Sequence, residues 1–237
     1  MSLVRARLDG EILIVTFEDS SSRNSWSLTA SRELRELLKT QDGRFRALVF
    51  ESVGRVFCSG GNLSDYAALT KAEEGRAIND AITADLAALS TLKVPSICLV
   101  GGDCFGGGVE LVSAFDFVIS APHVFFGLWQ KKIGLSFGWG GGARLERRVG
   151  ATRLREWSMS ARSLTSGEVR DAGLVDEIVL RDDLLVRGLE VARRLASGSP
   201  EAIASLKGFD SSRERDIFHS LWWSDEHRKV LRSRKRT

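Results

Sequence analysis

The sequence predicts an α/β fold closed by a helical C-terminal region, and three observations lead there. Short apolar, strand-like runs alternate with helical patterns as far as about Asp183. Two glycine-rich turns each follow such a run, and each opens a helical pattern. Beyond Asp183 the pattern is almost wholly helical, through Leu184–Leu195, Pro200–Lys207 and Ser211–Arg232. The chain is therefore divided into a core, residues 1–183, and a helical region, residues 184–237. With three prolines and no low-complexity linker, the two are expected to pack together rather than hang on a tether.

The elements follow in order. Val4–Leu8 and Glu11–Phe17 read as a hairpin, with Asp9-Gly10 as a two-residue turn. Ser27 precedes a helical pattern carrying Leu34, Leu37 and Leu38 on one side. Ala47–Phe50 is a short buried strand, and Glu73–Leu89 repeats Ile78, Ile82, Leu86 and Leu89 at helical spacing. Pro95 introduces the strand Ser96–Val100, a helix begins near Gly107, and Asp116–Ser120 is a further strand.

Composition narrows the function classes. The 237 residues are 43% hydrophobic and 27% charged, as in an ordinary globular protein. No apolar run approaches the roughly 20 residues of a membrane span, and the N-terminus shows no apolar leader, so a cytoplasmic protein is expected. Cys58, Cys98 and Cys104 are an odd number without a C-x-x-C pair, and His123, His219 and His227 are scattered. Neither a disulfide framework nor a metal site is expected, and Cys58 and Cys104 read as small core residues. The net charge of +3 owes much to the tail Arg232–Arg236; no RNA- or DNA-binding motif accompanies it, so no nucleic-acid partner is expected.

The two glycine turns carry the chemistry. In Phe57–Asp65, Ser59-Gly60-Gly61-Asn62 follows a strand; adjacent glycines let the backbone approach a ligand, and Asn62 can cap a following helix. A tight turn without a ligand explains the same residues. In Gly101–Glu110, the run Gly106-Gly107-Gly108 opens an apolar helix, whose first N–H groups are unpaired and favour an anion. Glu110 falls in that first turn, where it serves either chemistry or dipole compensation. The spacing is not the dinucleotide fingerprint G-x-G-x-x-G, and there is no Walker lysine. Trp129, Phe137 and Trp139 suit an acyl pocket or plain core packing.

These segments, in this order, resemble the crotonase (enoyl-CoA hydratase/isomerase) superfamily along nearly the whole chain. Arg23-Asn24-Ser25-Trp26-Ser27 is similar to its R-N-A-L-S segment, Gly54–Leu63 to its first oxyanion loop and Val94–Glu110 to its second. Asp116 sits where the family has a buried aspartate. Gly134–Leu145, with Trp139, Gly140, Gly141, Arg144 and Leu145, resembles the stretch that closes the acyl pocket. Ser166–Val175 and Ser199–Lys207 resemble later segments.

The resemblance implies a crotonase-type spiral of β-β-α turns whose C-terminal helices build a homotrimer or hexamer, with Trp222 and Trp223 near a subunit interface or in ordinary amphipathic packing. It implies an acyl-CoA thioester as substrate, CoA entering with it rather than as a separate cofactor. Gly61 and Gly107 become the two backbone donors that hold the thioester oxygen of an enolate. Ser59, Gly60, Asn62, Gly106 and Trp139 become substrate-binding, and Glu110 the acid/base. Lys207 matches a lysine that can lie near the nucleotide, although a solvated lysine is the expectation.

The chain departs from the hydratases at Gln130, where the family has a second glutamate. Glutamine cannot exchange a proton at neutral pH, so two-glutamate hydration is incomplete and isomerisation is weakened. Decarboxylases of the family acting on malonyl-type CoA need less, because loss of CO2 itself creates the enolate. The site is thus expected to be decarboxylase-like or otherwise atypical, with Gln130 as a holder of the departing carboxylate. The alternatives are a hydratase or isomerase with an atypical acid/base, and a non-catalytic CoA-binding or oligomeric scaffold.

Overall fold

A strand that is apolar at nearly every position must be covered on both faces, and this is how the central sheet is built. The computed structural model describes residues 2–234. Strands β1 (Val4–Asp9) and β2 (Ile12–Phe17) form an antiparallel hairpin in which Asp9 pairs with Ile12. The turn is therefore Gly10-Glu11, one residue later than the sequence suggested; Gly10, at φ +59°, supplies the left-handed residue the turn needs. Ser27 caps α1 (Leu28–Thr40) by accepting from the Ala30 N–H.

The chain then runs in three β-β-α turns. The first is β3 (Ala47–Ser52), β4 (Val56–Cys58) and the helices α2 (Leu63–Ala67) and α3 (Ala72–Ser90). The second is β5 (Ser96–Val100), β6 (Asp103–Phe105) and α4 (Gly107–Val112). The third is β7 (Phe117–Ser120), β8 (Phe125–Gly127), α5 (Gly141–Val149) and α6 (Ala151–Ser160). β9 (Leu164–Thr165), α7 (Ser166–Asp171) and β10 (Glu177–Ile178) complete the core. The first strands of the turns join the hairpin in a six-stranded sheet ordered β1-β2-β3-β5-β7-β10, parallel from β2 onward. The second strands form a smaller sheet, β4-β6-β8-β9.

Between the sheets Trp26 packs edge-on against Phe17 and Phe50, and Phe50 against Phe57, with centroids 5.0, 6.2 and 6.1 Å apart. All four rings are fully buried, each worth roughly 1.5–3 kcal/mol by burial. The helix α8 (Leu184–Ala196) lies on the large sheet, its Gly188 so close to Leu99 that a Cβ would come within 2.8 Å of Cδ2. α9 (Pro200–Lys207) follows.

The C-terminal region corrects three expectations. The single helix over Ser211–Arg232 is broken into α10 (Glu214–Leu221) and α11 (Asp225–Arg234), because Trp223 takes a positive φ of 70°. Lys207 is not solvated: its side chain is 11% exposed and its Nζ lies 2.7 Å from Asp116 Oδ2 and 2.8 Å from the Val94 carbonyl. Asp116, in turn, is 33% exposed rather than buried, and it also accepts from the N–H and hydroxyl of Ser96. The basic tail extends beyond the described residues. Trp222 and Trp223 are exposed. No described helix is long and apolar enough to cross a membrane.

Asp116→Ala strands the Ser96 N–H and removes the counter-charge of Lys207, and is expected to cost about 2 kcal/mol in urea unfolding. Asp116→Asn keeps an acceptor and should cost about 1 kcal/mol. An Asp116→Asn protein as stable as the wild type would show that the ion pair contributes nothing beyond a neutral hydrogen bond.

Candidate active site

The two glycine turns meet because the strands before them are parallel neighbours. β4 and β6 pair with Val56 opposite Asp103 and Cys58 opposite Cys104, so both chains emerge at the same end of the small sheet. There the loops touch: a Cβ built on Gly60 would lie 3.3 Å from the Phe105 carbonyl oxygen and 3.5 Å from Gly107 N. Gly60 and Gly106 take φ of +110° and +54°, backbone that side chains rarely adopt. A bridge to Trp26 sets the direction of the first loop. Trp26 N–H donates to the Gly60 carbonyl at 2.7 Å, and Asn62 N–H to the Trp26 carbonyl at 3.0 Å. In an extended segment successive N–H groups alternate sides, so the Gly61 N–H faces away from that bridge. Gly107 opens α4, where the first N–H has no helical acceptor. Neither N–H has a protein acceptor among the described residues.

Glu110, in the first turn of α4, is 2% exposed. Its Oε1 accepts from Gln130 Nε2 (3.1 Å) and Gly138 N (3.2 Å), and its Oε2 from Trp139 N (2.9 Å) and Gly141 N (3.0 Å). A carboxylate has about four acceptor positions, and here all are taken by N–H donors. Gly141 packs so tightly on this side chain that its Cβ would fall 2.4 Å from Glu110 Cγ. Glu110 thus locks the turn before α5 into place. The carboxylate can only accept from its neighbour, which fixes the Gln130 amide with its nitrogen toward Glu110. Gln130 Oε1 is left buried without a donor. The amide therefore turns an unpartnered acceptor to the site, while one of its two N–H donors is committed to Glu110.

The locked turn places Trp139, 4% exposed, against both glycines. A Cβ on Gly107 would lie 2.3 Å from Trp139 Cζ3, and one on Gly61 3.2 Å from Cζ2. The indole wall requires the two glycines as much as the backbone does. Arg144 secures the turn from the other side, donating to the Trp139 carbonyl at 3.0 Å, the Glu110 carbonyl at 3.2 Å and Ser113 Oγ at 3.1 Å.

The family model for enoyl-CoA hydratase/isomerase matches residues 7–214. The chain belongs to the enoyl-CoA hydratase/isomerase family. It is 31% identical over 198 residues to a mevalonyl-coenzyme A hydratase of Aspergillus fumigatus, covering 81% of this chain and 72% of that protein. It is 28% identical over 227 residues to an ethylmalonyl-CoA decarboxylase of Mus musculus, covering 88% and 70%. Its fold superposes on the crystal structure of an enoyl-CoA hydratase from Bacillus anthracis with a TM-score of 0.91, at 24% identity over 99% of this chain and 96% of that one. The crotonase spiral anticipated from the sequence is thereby shown.

Within this family member, other anticipated site residues have structural duties. Asn62 Oδ1 accepts from the Ser64 N–H at 3.0 Å and caps α2, and Ser59 Oγ donates to the Ser22 carbonyl at 3.3 Å. Asp65 accepts from the Leu28 N–H at 3.3 Å, and the exposed Glu73 pairs with Arg76. Trp129 stacks on Phe105, with centroids 3.9 Å apart, and carries Lys132 over its face. Among the described residues no cluster of His, Cys, Asp or Glu could hold a metal. Nothing in the local pattern marks Asn79, which bonds to both Tyr66 and Trp139; it is one polar residue in a helical pattern defined by its apolar neighbours.

Two outcomes follow. Glu110→Gln turns an N–H donor toward donors and should destabilise the fold by about 3 kcal/mol in chemical unfolding; an unchanged stability would rule out the lock. Burial pushes the Cys58 thiol up to about 12 and those of Cys98 and Cys104 well above the ordinary range. At mildly alkaline pH the native protein should therefore leave all three unreacted with a disulfide reagent, whereas the unfolded chain exposes them.

Proposed function

We propose that the protein decarboxylates a malonyl-type CoA thioester through an enolate held by the N–H groups of Gly61 and Gly107. The observation that carries this reading is the saturation of Glu110. A carboxylate whose four acceptor positions are occupied by N–H groups has none free to take a proton from water or from carbon. Gln130 cannot take one either. Decarboxylation needs no base: the bond to the carboxylate breaks, its electron pair passes into the thioester, CO2 leaves, and water supplies a proton to the resulting α-carbon, the hydroxide left behind combining with CO2 as bicarbonate. Two preorganised N–H donors strengthen as charge gathers on the thioester oxygen, each worth about 3–4 kcal/mol in comparable sites. The Trp139 indole gives the leaving group an apolar wall, which disfavours the charged carboxylate relative to neutral CO2. The similarity to an ethylmalonyl-CoA decarboxylase supports the same reading. The exposed Leu206, Phe218, Trp222 and Trp223 would then meet other copies in a homotrimer or hexamer.

A second reading, hydration, is favoured by one observation. Gln130 Oε1, buried and without a donor beside Glu110, can orient a water molecule, and the similarity to a mevalonyl-coenzyme A hydratase points the same way.

Purified protein offered methylmalonyl-, ethylmalonyl- and crotonyl-CoA should release CO2 from the malonyl-type thioesters. Gln130→Ala should change that rate by less than about tenfold. Crotonyl-CoA hydration that falls more than about a hundredfold in Gln130→Ala would transfer the assignment to the second reading. Binding of all three without turnover would leave only a CoA-binding scaffold.

A further inference from the structure

Asn79 lies on α3, remote in sequence from either glycine loop, yet it is the point where three parts of the site are tied together. Its Oδ1 accepts from Trp139 Nε1 at 3.1 Å and from the Tyr66 hydroxyl at 2.9 Å. Indole nitrogen can only donate, so the amide orientation is fixed by chemistry, with the oxygen toward Trp139. One turn along the same helix, Thr83 Oγ1 bonds the Asn79 carbonyl at 2.7 Å and the Gly138 carbonyl at 3.2 Å, so α3 is also fastened to the turn that carries Trp139. The backbone of Trp139 is already held by Glu110 and Arg144. Those contacts fix where the indole leaves the backbone, and the Asn79 bond fixes which way its N–H edge faces. The benzo edge is thereby held against Gly107 and Gly61, and the Tyr66 ring comes within 4.0 Å of a Cβ built on Gly61.

We infer that Asn79 is a specificity-determining positioning residue: by clamping the Trp139 indole beside the Gly61 and Gly107 N–H groups, it restricts the acyl group to a short chain. This rests on the reading of those two N–H groups as the receptor of the thioester. An indole released from Asn79 shifts aside for a longer chain; one held at its N–H cannot do so without breaking that bond. Asn79 touches no reacting atom in this scheme and acts only through Trp139.

The test is the calorimetric affinity of acetyl-, butyryl- and octanoyl-CoA for the wild-type protein and three variants. The wild-type protein should bind octanoyl-CoA at least about tenfold more weakly than butyryl-CoA. Asn79→Leu, similar in size but without the acceptor, should bring that ratio to within about threefold, while Asn79→Asp, which keeps an acceptor for both donors, should restore it. Tyr66→Phe breaks the tyrosine bond alone and should retain discrimination. An octanoyl-to-butyryl ratio that is the same in the wild-type protein and Asn79→Leu overturns the clamp, as does a wild-type protein that does not discriminate. Either result leaves the CoA reading standing if the short thioesters bind. Failure of all three to bind removes that reading and the clamp with it. Circular dichroism of Asn79→Leu distinguishes an opened pocket from an unfolded chain, and Trp139→Phe, with a smaller ring and no N–H, supplies the same loss of discrimination independently.

Discussion

The carboxylate of Glu110 and the N–H groups around it are the constraint on which the rest of the site depends. A carboxylate at 2% exposure is costly unless every lone pair finds a donor. The donors nearest to hand are backbone N–H groups of Gly138, Trp139 and Gly141, which would themselves be stranded without it. Each side solves the other's problem, and the solution has one geometry. It sets the start of α5, and it fixes the direction in which Trp139 leaves the backbone. It also takes up the one donor that points from Gln130 toward the carboxylate. The acid thus holds the architecture of the site, and the groups it leaves without a protein partner there include the Gly61 and Gly107 N–H groups and the Gln130 amide oxygen.

That lock could not serve a site unless the two glycine loops already faced each other, and this comes from the sheets rather than from the loops. Each β-β-α turn sends its second strand into the small parallel sheet, so successive turns deliver their loops side by side at the carboxyl ends, where open parallel sheets present ligand sites. Asn24 and Trp26 then hold the first loop in place. Asn24, buried at a positive φ of 54°, donates to the Val53 and Val56 carbonyls on either side of the β3–β4 turn. Trp26 anchors its ring among Phe17 and Phe50 while its backbone brackets Gly61. Asn24, Trp26 and Ser27 in this short segment thus all hold backbone.

Much of this was legible in the sequence wherever a local signal sufficed. The buried strands β2, β3 and β5, the capped start of α1, and the glycine turns all follow from apolar runs, a capping serine and adjacent glycines. What escaped depends on partners far away in the chain. Lys207 looks like any surface lysine until Asp116 and the Val94 carbonyl are brought to it. Gln130 reads as a weakened glutamate, but whether it shows a donor or an acceptor is settled by Glu110, twenty residues earlier. Asn79 carries no signal because a lone asparagine between helical apolar positions is ordinary until an indole N–H arrives. The hairpin turn slipped by one residue because Asp9-Gly10 and Gly10-Glu11 both contain the glycine that the left-handed position requires.

The polarity of the finished site explains why losing one acid need not mean losing catalysis. Water addition and proton transfer between carbons both demand a side chain that cycles between protonation states, and therefore one with an acceptor position to spare. Cleavage of a carboxylate demands only that the electrons it releases be received. Fixed N–H groups do that without moving, and they do it best where nothing else competes for them and no water dilutes the field. At Gly61 and Gly107 the N–H groups are without a protein acceptor among the described residues and stand against an indole. On the proposed reading, replacement of the second glutamate by Gln130 then has a structural logic. A neutral amide can feed its N–H to Glu110, whereas a second carboxylate in that place would set two negative charges side by side in a buried setting and weaken the lock that holds Trp139.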